Sequence, residues 1–250
     1  LDNDVADVGA RGVAVIEEIA EERRIDAIRQ DFVANVSHEL KTPVGAMSLL
    51  ADALTRATTE DDRVRLTGLL QKESRRAEHI IDDLLELARL DEQSAIFSPV
   101  EIDEVVGACV DAASNLAEVN SIRVAVNGVP CGLRVMGSRR ELERAMVNML
   151  DNAVRYSAPG TTVTIGVEKL PDVVDISVRD TGEGIPRPEL ERIFERFYRV
   201  DRARSRETGG TGLGLAIVRH VATNHRGRIL VESKHGVGST FTLRLPTVKS

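Results

Sequence analysis

The run Ser37-His38-Glu39-Leu40-Lys41-Thr42-Pro43 sets an imidazole beside a carboxylate where the apolar spacing is helical. A neutral imidazole nitrogen can attack phosphorus if the other ring nitrogen gives up its proton. Glu39, next in the chain, can take that proton as a general base. At about 100° per helical residue, His38 lies about 200° from both Val36 and Leu40. Its ring therefore points away from the apolar side, and Thr42, four residues on, shares that outward face. His79, His220, His225 and His235 have no such company and read as structural.

A second group of residues suits a nucleotide and a hard cation. Asn148 and Asn152 are one helical turn apart, so their amides share a face. An amide oxygen is a hard ligand fit for Mg²⁺, and its NH₂ can donate to a phosphate. Arg155 and Tyr156 continue the same helix, where they can serve as a phosphate contact and an adenine-packing ring, although surface pairing and core packing would also explain them. Asp180 ends an apolar strand and precedes Gly182 and Gly184. A carboxylate there can accept from the adenine amine, while the glycines let backbone approach the base. Gly210-Thr211-Gly212-Leu213-Gly214-Leu215 leads into an apolar helix, and glycine amides at a helix N-terminus bind phosphate. No Gly-Lys-Ser/Thr follows, so this is not a P-loop. Phe194 and Phe197 read as the anchor of a lid, Arg199 as a phosphate contact, and Arg202, Arg204 and Arg206 as a polar segment able to fold over a triphosphate.

Two amphipathic helices must carry His38. Val36, Leu40, Pro43, Met47, Leu50 and Leu54 alternate spacings of four and three, and Leu66, Leu70, Glu73, Ala77, Ile80, Leu84 and Leu87 do the same. Thr58-Thr59-Glu60-Asp61-Asp62 reads as the polar turn between them, giving an antiparallel hairpin. One hairpin has too little core, so two copies pairing into a four-helix bundle is the expected solution. Pro43 removes one backbone hydrogen bond and should bend the first helix just past His38.

Residues 1–24 read as a linker and signalling helix, 25–97 as the hairpin domain, and 98–250 as a second domain opened by the Ser98-Pro99 break. In the second domain the pattern predicts strands at Val100–Ile102, Arg123–Val126, Arg134–Met136, Thr161–Val167 and Val173–Val178, with a closing hairpin of Arg228–Glu232 and Thr240–Leu245. It predicts helices from about Asp103 to Val119, to Tyr156 from a capping box at Ser138-Arg139-Arg140-Glu141, near Pro188–Arg196, and over Gly212–His225. Segregated helices and strands give an α+β fold, a two-layer α/β sandwich.

The composition agrees with these readings. A hydrophobic content of 42% can build a core, and 29% charged residues suit an aqueous surface. A formal charge of −7 and no Trp argue against a nucleic-acid partner. Cys109 and Cys131 read as reduced packing residues. No apolar run is long enough to span a bilayer.

In this order, the motifs at His38, Asn148/Asn152, Asp180-Thr181-Gly182-Glu183-Gly184 and Gly210–Leu215 resemble the H, N, G1 and G2 boxes of the sensor histidine kinases of bacterial two-component signalling. The resemblance covers roughly residues 25 to 245, and Gly236-Val237-Gly238-Ser239-Thr240 is similar to the family's third glycine box. It implies a sandwich shared with gyrase-type and Hsp90-type ATPases, a homodimer, and ATP with Mg²⁺ as cofactors. It implies autophosphorylation of His38 with Glu39 as base, then phosphotransfer to an aspartate of a response regulator. Thr42 would orient water when that regulator is dephosphorylated, Asn152 would hold Mg²⁺, and Asn148 would be a phosphate or metal partner. Family members usually carry membrane spans and an input domain upstream, so the chain, which starts at Leu1, is expected to be the cytoplasmic portion of a membrane-anchored sensor. Hydrolytic ATPases of the same fold place a Glu one turn before the metal-binding Asn, where this chain has Asn148.

Overall fold

A computed structural model describes residues 33–91, 96–200 and 210–248. The linker read at 1–24, the start of the first helix, and Arg202, Arg204 and Arg206 lie outside the described residues. The chain divides into two compact units, Leu1–Ile80 and Ile81–Ser250.

The first unit holds helix α1, residues 33–56, and most of helix α2, Glu60–Asp91. Every described seam residue is at least half-buried. Pro43, Leu66, Ala77 and Ile80 are buried, while Val36, Leu40, Met47, Leu50, Leu54, Leu70 and Glu73 are half-buried. The helical assignment runs through Pro43 without a break. The acidic turn read at Thr58–Asp62 is shorter than expected, because Glu60 already begins α2. Thr59 acts as its cap: the Asp62 amide donates to Thr59 Oγ1 at 3.2 Å, and Thr59 Oγ1 donates to the Asp62 carboxylate at 2.7 Å. Three carboxylates in the first turn face the positive end of the helix dipole, which favours helix over loop here.

The second unit is a two-layer sandwich. Its elements run β1 (Ser98–Glu101), α3 (Ile102–Val119), β2 (Arg123–Asn127), β3 (Arg134–Gly137), α4 (Arg139–Tyr156), β4 (Thr162–Lys169), β5 (Val173–Arg179), α5 (Gly214–Asn224), β6 (Arg228–Lys234) and β7 (Gly238–Pro246). A five-stranded sheet has the order β2-β4-β5-β7-β6, with β2 and β4 parallel and the other pairs antiparallel. β1 pairs with β3 in a separate ribbon. Ser98 and Pro99, read as a break, are the first residues of that ribbon. Alternation decides which sheet face is buried: Val163, Ile165, Val174, Ile176, Val178, Leu243 and Leu245 point inward. Met146, Met149, Leu150 and Ile217 face them from the helices, and each such side chain contributes roughly 1.5–3 kcal/mol on burial.

Three sequence expectations change. The helix read near Pro188–Arg196 is two single 3₁₀ turns, Arg187–Glu189 and Arg192–Phe194. Pro186 and Pro188 withhold amide donors there, and Ile193 and Phe194 tie the segment to the core. α5 starts at Gly214 rather than Gly212, since Gly212 has φ +74, outside the right-handed helix. Cys109 is buried, with its thiol pushed up to about 12 chiefly by burial, but Cys131, read as a packing residue, is exposed.

The Ser138 cap forms half of the expected box. Its hydroxyl accepts from the Glu141 amide at 3.4 Å, while the Glu141 side chain turns toward His225, 3.8 Å away. His225 is 3% exposed and joins α5 to the start of α4. Nδ1 lies 2.8 Å from the Val221 carbonyl and carries the proton; Nε2 accepts from the Ser138 amide at 3.0 Å. Phe97 stacks on the ring at 4.7 Å. A Cβ on Gly137 would come within 2.4 Å of the ring, so the glycine makes room for it. Burial pushes the His225 pKa below the ordinary 6.5, opposed by the Val221 carbonyl and Glu141. The unfolded chain therefore binds the proton first. The contribution is present above 6.5 and is lost as the pH falls through the depressed native value. Thermal melts from about pH 7.5 to about pH 5 should show falling stability in the wild type and a shallower fall in His225→Gln. Equal slopes would place the pH dependence elsewhere.

Candidate active site

Three segments distant in sequence converge on Asp180, at the end of β5. The carboxylate is 6% exposed, and its Oδ1 accepts from the amides of Gly182 at 2.8 Å and Ser239 at 3.2 Å. Burial raises its pKa and the two amides oppose the rise. The close approaches explain the glycines. A Cβ on Gly182 would lie 2.1 Å from the Tyr156 carbonyl, and one on Gly184 (φ +65) 2.1 Å from the Lys234 carbonyl. The loop is stitched to the β6–β7 turn by Gly236 N–H to Glu183 O and by Ile185 N–H to Ser233 Oγ at 2.7 Å. Gly238 (φ +133) lies against the Asp180 carbonyl, where a Cβ would approach to 2.3 Å. The third glycine segment, Gly236–Thr240, thus builds a wall of the Asp180 site. Ser239 was missed because its contribution is a backbone amide, which residue type does not reveal.

A second convergence joins α4 to the glycine segment before α5. The Asn148 Oδ1 sits 3.1 Å from where a Gly214 Cβ would stand. Its Nδ2 is buried with no hydrogen-bond partner. An orphaned amide donor is costly unless something completes it, and an anionic oxygen or a metal-bound phosphate would. Asn152, one turn later, is half-buried on the same helix. Phe197 adopts φ +63, and its amide donates to the Gly212 carbonyl at 2.9 Å. A Cβ on Gly212 would reach 2.8 Å from the Phe197 carbonyl carbon, so these two residues lock back to back.

The remaining members of the glycine segment divide. Leu213 is fully buried, a core side chain, and its amide donates to Thr211 Oγ1 at 3.2 Å. Thr211 in turn donates to Asp83 Oδ2 at 2.6 Å, near the end of α2. Arg144 of α4 also binds Asp83, and Arg140 donates to Glu86 at 3.0 Å. Asp83 was invisible in the sequence, one carboxylate among many on an amphipathic helix. Leu215 and Gly210 are half-buried, and a Cβ on Gly210 would meet nothing. Arg155 lies 4.0 Å from Asp151, Tyr156 is half exposed at the end of α4, and Arg199 is half-buried.

His38, Glu39 and Thr42 lie in the first unit. His38 and Thr42 are exposed, as the helical geometry requires, and Thr42 Oγ1 donates to the His38 carbonyl at 3.2 Å. Glu39 is half-buried, with Oε2 3.7 Å from an Arg76 guanidinium nitrogen across the hairpin.

Residues 28–93 match the family described as His Kinase A (phospho-acceptor) domain, and residues 137–249 match the histidine kinase-, DNA gyrase B- and HSP90-like ATPases. The chain is 46% identical over 237 residues to the sensor-like histidine kinase SenX3 of Mycolicibacterium smegmatis, covering 94% of this chain and 62% of that protein. The solved mycobacterial sensor histidine kinase MprB is 30% identical, with a TM-score of 0.53, covering 62% of this chain and 100% of that one. The chain belongs to the sensor histidine kinase family. The histidine kinase ThkA, solved in complex with the response regulator protein TrrA, shares the fold: its TM-score is 0.74 at 20% identity, over 93% of this chain and 66% of that one. This histidine kinase chain spans 62% of SenX3 from M. smegmatis and 58% of SenX3 from Mycobacterium tuberculosis. Its sandwich is an ATP-binding domain of the matched ATPase type. Among the described residues, no helix is long and apolar enough to cross a membrane.

Proposed function

We propose that the chain is an ATP-dependent protein-histidine kinase that phosphorylates itself on His38 and passes the phosphoryl group to an aspartate of a response regulator. The observation that carries this reading is the pairing of functions in one chain. An exposed His38 precedes Glu39 on a hairpin, and a glycine-lined site in the sandwich holds a buried, unsatisfied Asn148 amide.

In this reading Asp180 accepts from the adenine amine, and the strand-end glycines let the base lie against backbone. Tyr156 packs the base; Arg155, Arg199 and the segment Gly210–Leu215 attend the phosphates. Asn152 would hold Mg²⁺, with Asn148 as a phosphate or metal partner, and the ion would supply neutralisation of triphosphate charge. A ring nitrogen of His38 attacks the γ-phosphorus, the bond to the β-phosphate oxygen breaks, and ADP leaves. The ring proton passes to Glu39. Thr42 orients water for the opposing reaction, dephosphorylation of the regulator. Hydrolysis of ATP as the main activity is disfavoured, because Asn148 stands where a water-activating Glu would be and an amide is no base.

The half-buried seams are the surface for a second copy, and pairing the hairpins gives a four-helix bundle. Functionally the division falls at 97/98, with residues 25–97 as the dimerisation and phosphotransfer domain and 98–250 as the catalytic domain. The chain would act in the cytoplasm, where ATP and response regulators are, as part of a membrane-anchored sensor. Incubation with γ-labelled ATP and Mg²⁺ tests the reading. The label should be lost in acid and retained in base, as a phosphoramidate requires. A label stable in acid, or ATP turnover with no labelled protein, would refute it.

A further inference from the structure

Arg76 is the residue of the hairpin whose burial asks for an explanation. It sits on α2, it is charged, and it is 9% exposed. A guanidinium withdrawn from water in so thin a core is unfavourable unless its charge is met. Its terminal nitrogen lies 3.7 Å from Glu39 Oε2, joining the two helices beside the histidine. One further donor of the group is left open. Arg76 Nε has no hydrogen-bond partner, and neither has the buried Oε2 of Glu73, one turn earlier on the same helix. What Arg76 does secure is the carboxylate next to His38.

We propose that Arg76 is a positioning residue for phosphorylation of His38, holding the Glu39 carboxylate where it can receive the ring proton. The proposal rests on the reading of His38 as acceptor and Glu39 as base. A glutamate on a helix surface turns about three side-chain torsions, and a base works only within hydrogen-bond reach of its proton. An opposite charge fixed on the facing helix narrows those choices before the nucleotide arrives. Arg76 itself exchanges no bond and no proton.

The test compares single-turnover labelling by γ-labelled ATP and Mg²⁺ in the full chain. The variants are Arg76→Gln, Arg76→Lys, Glu39→Gln and the double variant Arg76→Gln with Glu39→Gln. Arg76→Gln should slow labelling about tenfold or more with the KM for ATP unchanged. Arg76→Lys should recover part of the rate, because the ammonium keeps the charge but not the planar fork. The double variant should be no slower than Glu39→Gln alone, since Arg76 acts only through that carboxylate. Losses that multiply in the double variant, or an Arg76→Gln enzyme of normal rate, would overturn the proposal. Full-rate labelling by Glu39→Gln would instead remove Glu39 as the base and take the proposal with it. If Arg76→Gln loses helicity, Arg76→Lys carries the same comparison: it must slow the wild type and leave Glu39→Gln unchanged.

Discussion

His38→Gln is expected to reduce phosphate incorporation by more than about a hundredfold, while nucleotide affinity stays within about twofold of wild type. Gln keeps the polarity and approximate size of the side chain but offers an amide nitrogen whose lone pair is delocalised. The position tolerates the change because His38 is exposed. The residues proposed to recognise the nucleotide, Asp180, Asn148 and the glycine segments, belong to the other compact unit. The two readouts should therefore separate cleanly. Binding of a fluorescent ATP analogue measures one and acid-labile label the other. A variant that still labels would put the nucleophile elsewhere, and one that loses both would mean the two units are not independent.

Asn152→Ala and Asn152→Asp should each cut labelling by on the order of a hundredfold without weakening association of the hairpins. Asn152 shares α4 with Asn148 and stands one turn further on. Truncation to Ala removes a hard oxygen donor from the proposed metal shell. Asp keeps an oxygen there but adds a negative charge where a triphosphate must come, so the two variants lose activity for different reasons. Raising the Mg²⁺ concentration should rescue Asn152→Ala in part, by mass action on a weakened site. Labelling and sedimentation of the same preparations would check both halves. Normal turnover in Asn152→Ala would exclude it from the metal shell.

The elements were legible wherever a periodic apolar pattern met a chemical stop. α4 was read to its last residue because Ser138 caps one end and its buried stripe is regular. β4 and β5 were read to within two residues because alternation fixed their faces. The pattern failed where backbone geometry overrode it. The apolar Ile193 and Phe194 looked helical, but the segment makes only two single 3₁₀ turns. The apolar run after Gly210 looked like helix from Gly212, which the left-handed backbone at that residue forbids. The site was legible to the extent that its chemistry is carried by side-chain type. Asp180 announced itself; the Ser239 amide that supports it and the Asp83 carboxylate that receives Thr211 did not. Backbone donors and single carboxylates on charged helices carry no signal in residue identity.

The two units also differ in what closes their cores. Met146 and Ile165 lose all contact with water inside a single chain, so the sandwich folds by an equilibrium in which only that chain takes part. Leu40, Met47, Leu50 and Leu54 on the hairpin remain half open in one copy. In the proposed dimer they are covered by a second molecule, and hairpin stability then includes a mass-action contribution that the sandwich lacks. Dilution would loosen the phospho-acceptor before it loosened the nucleotide site. The hairpin's melting midpoint thus belongs to a protein concentration as much as to a sequence.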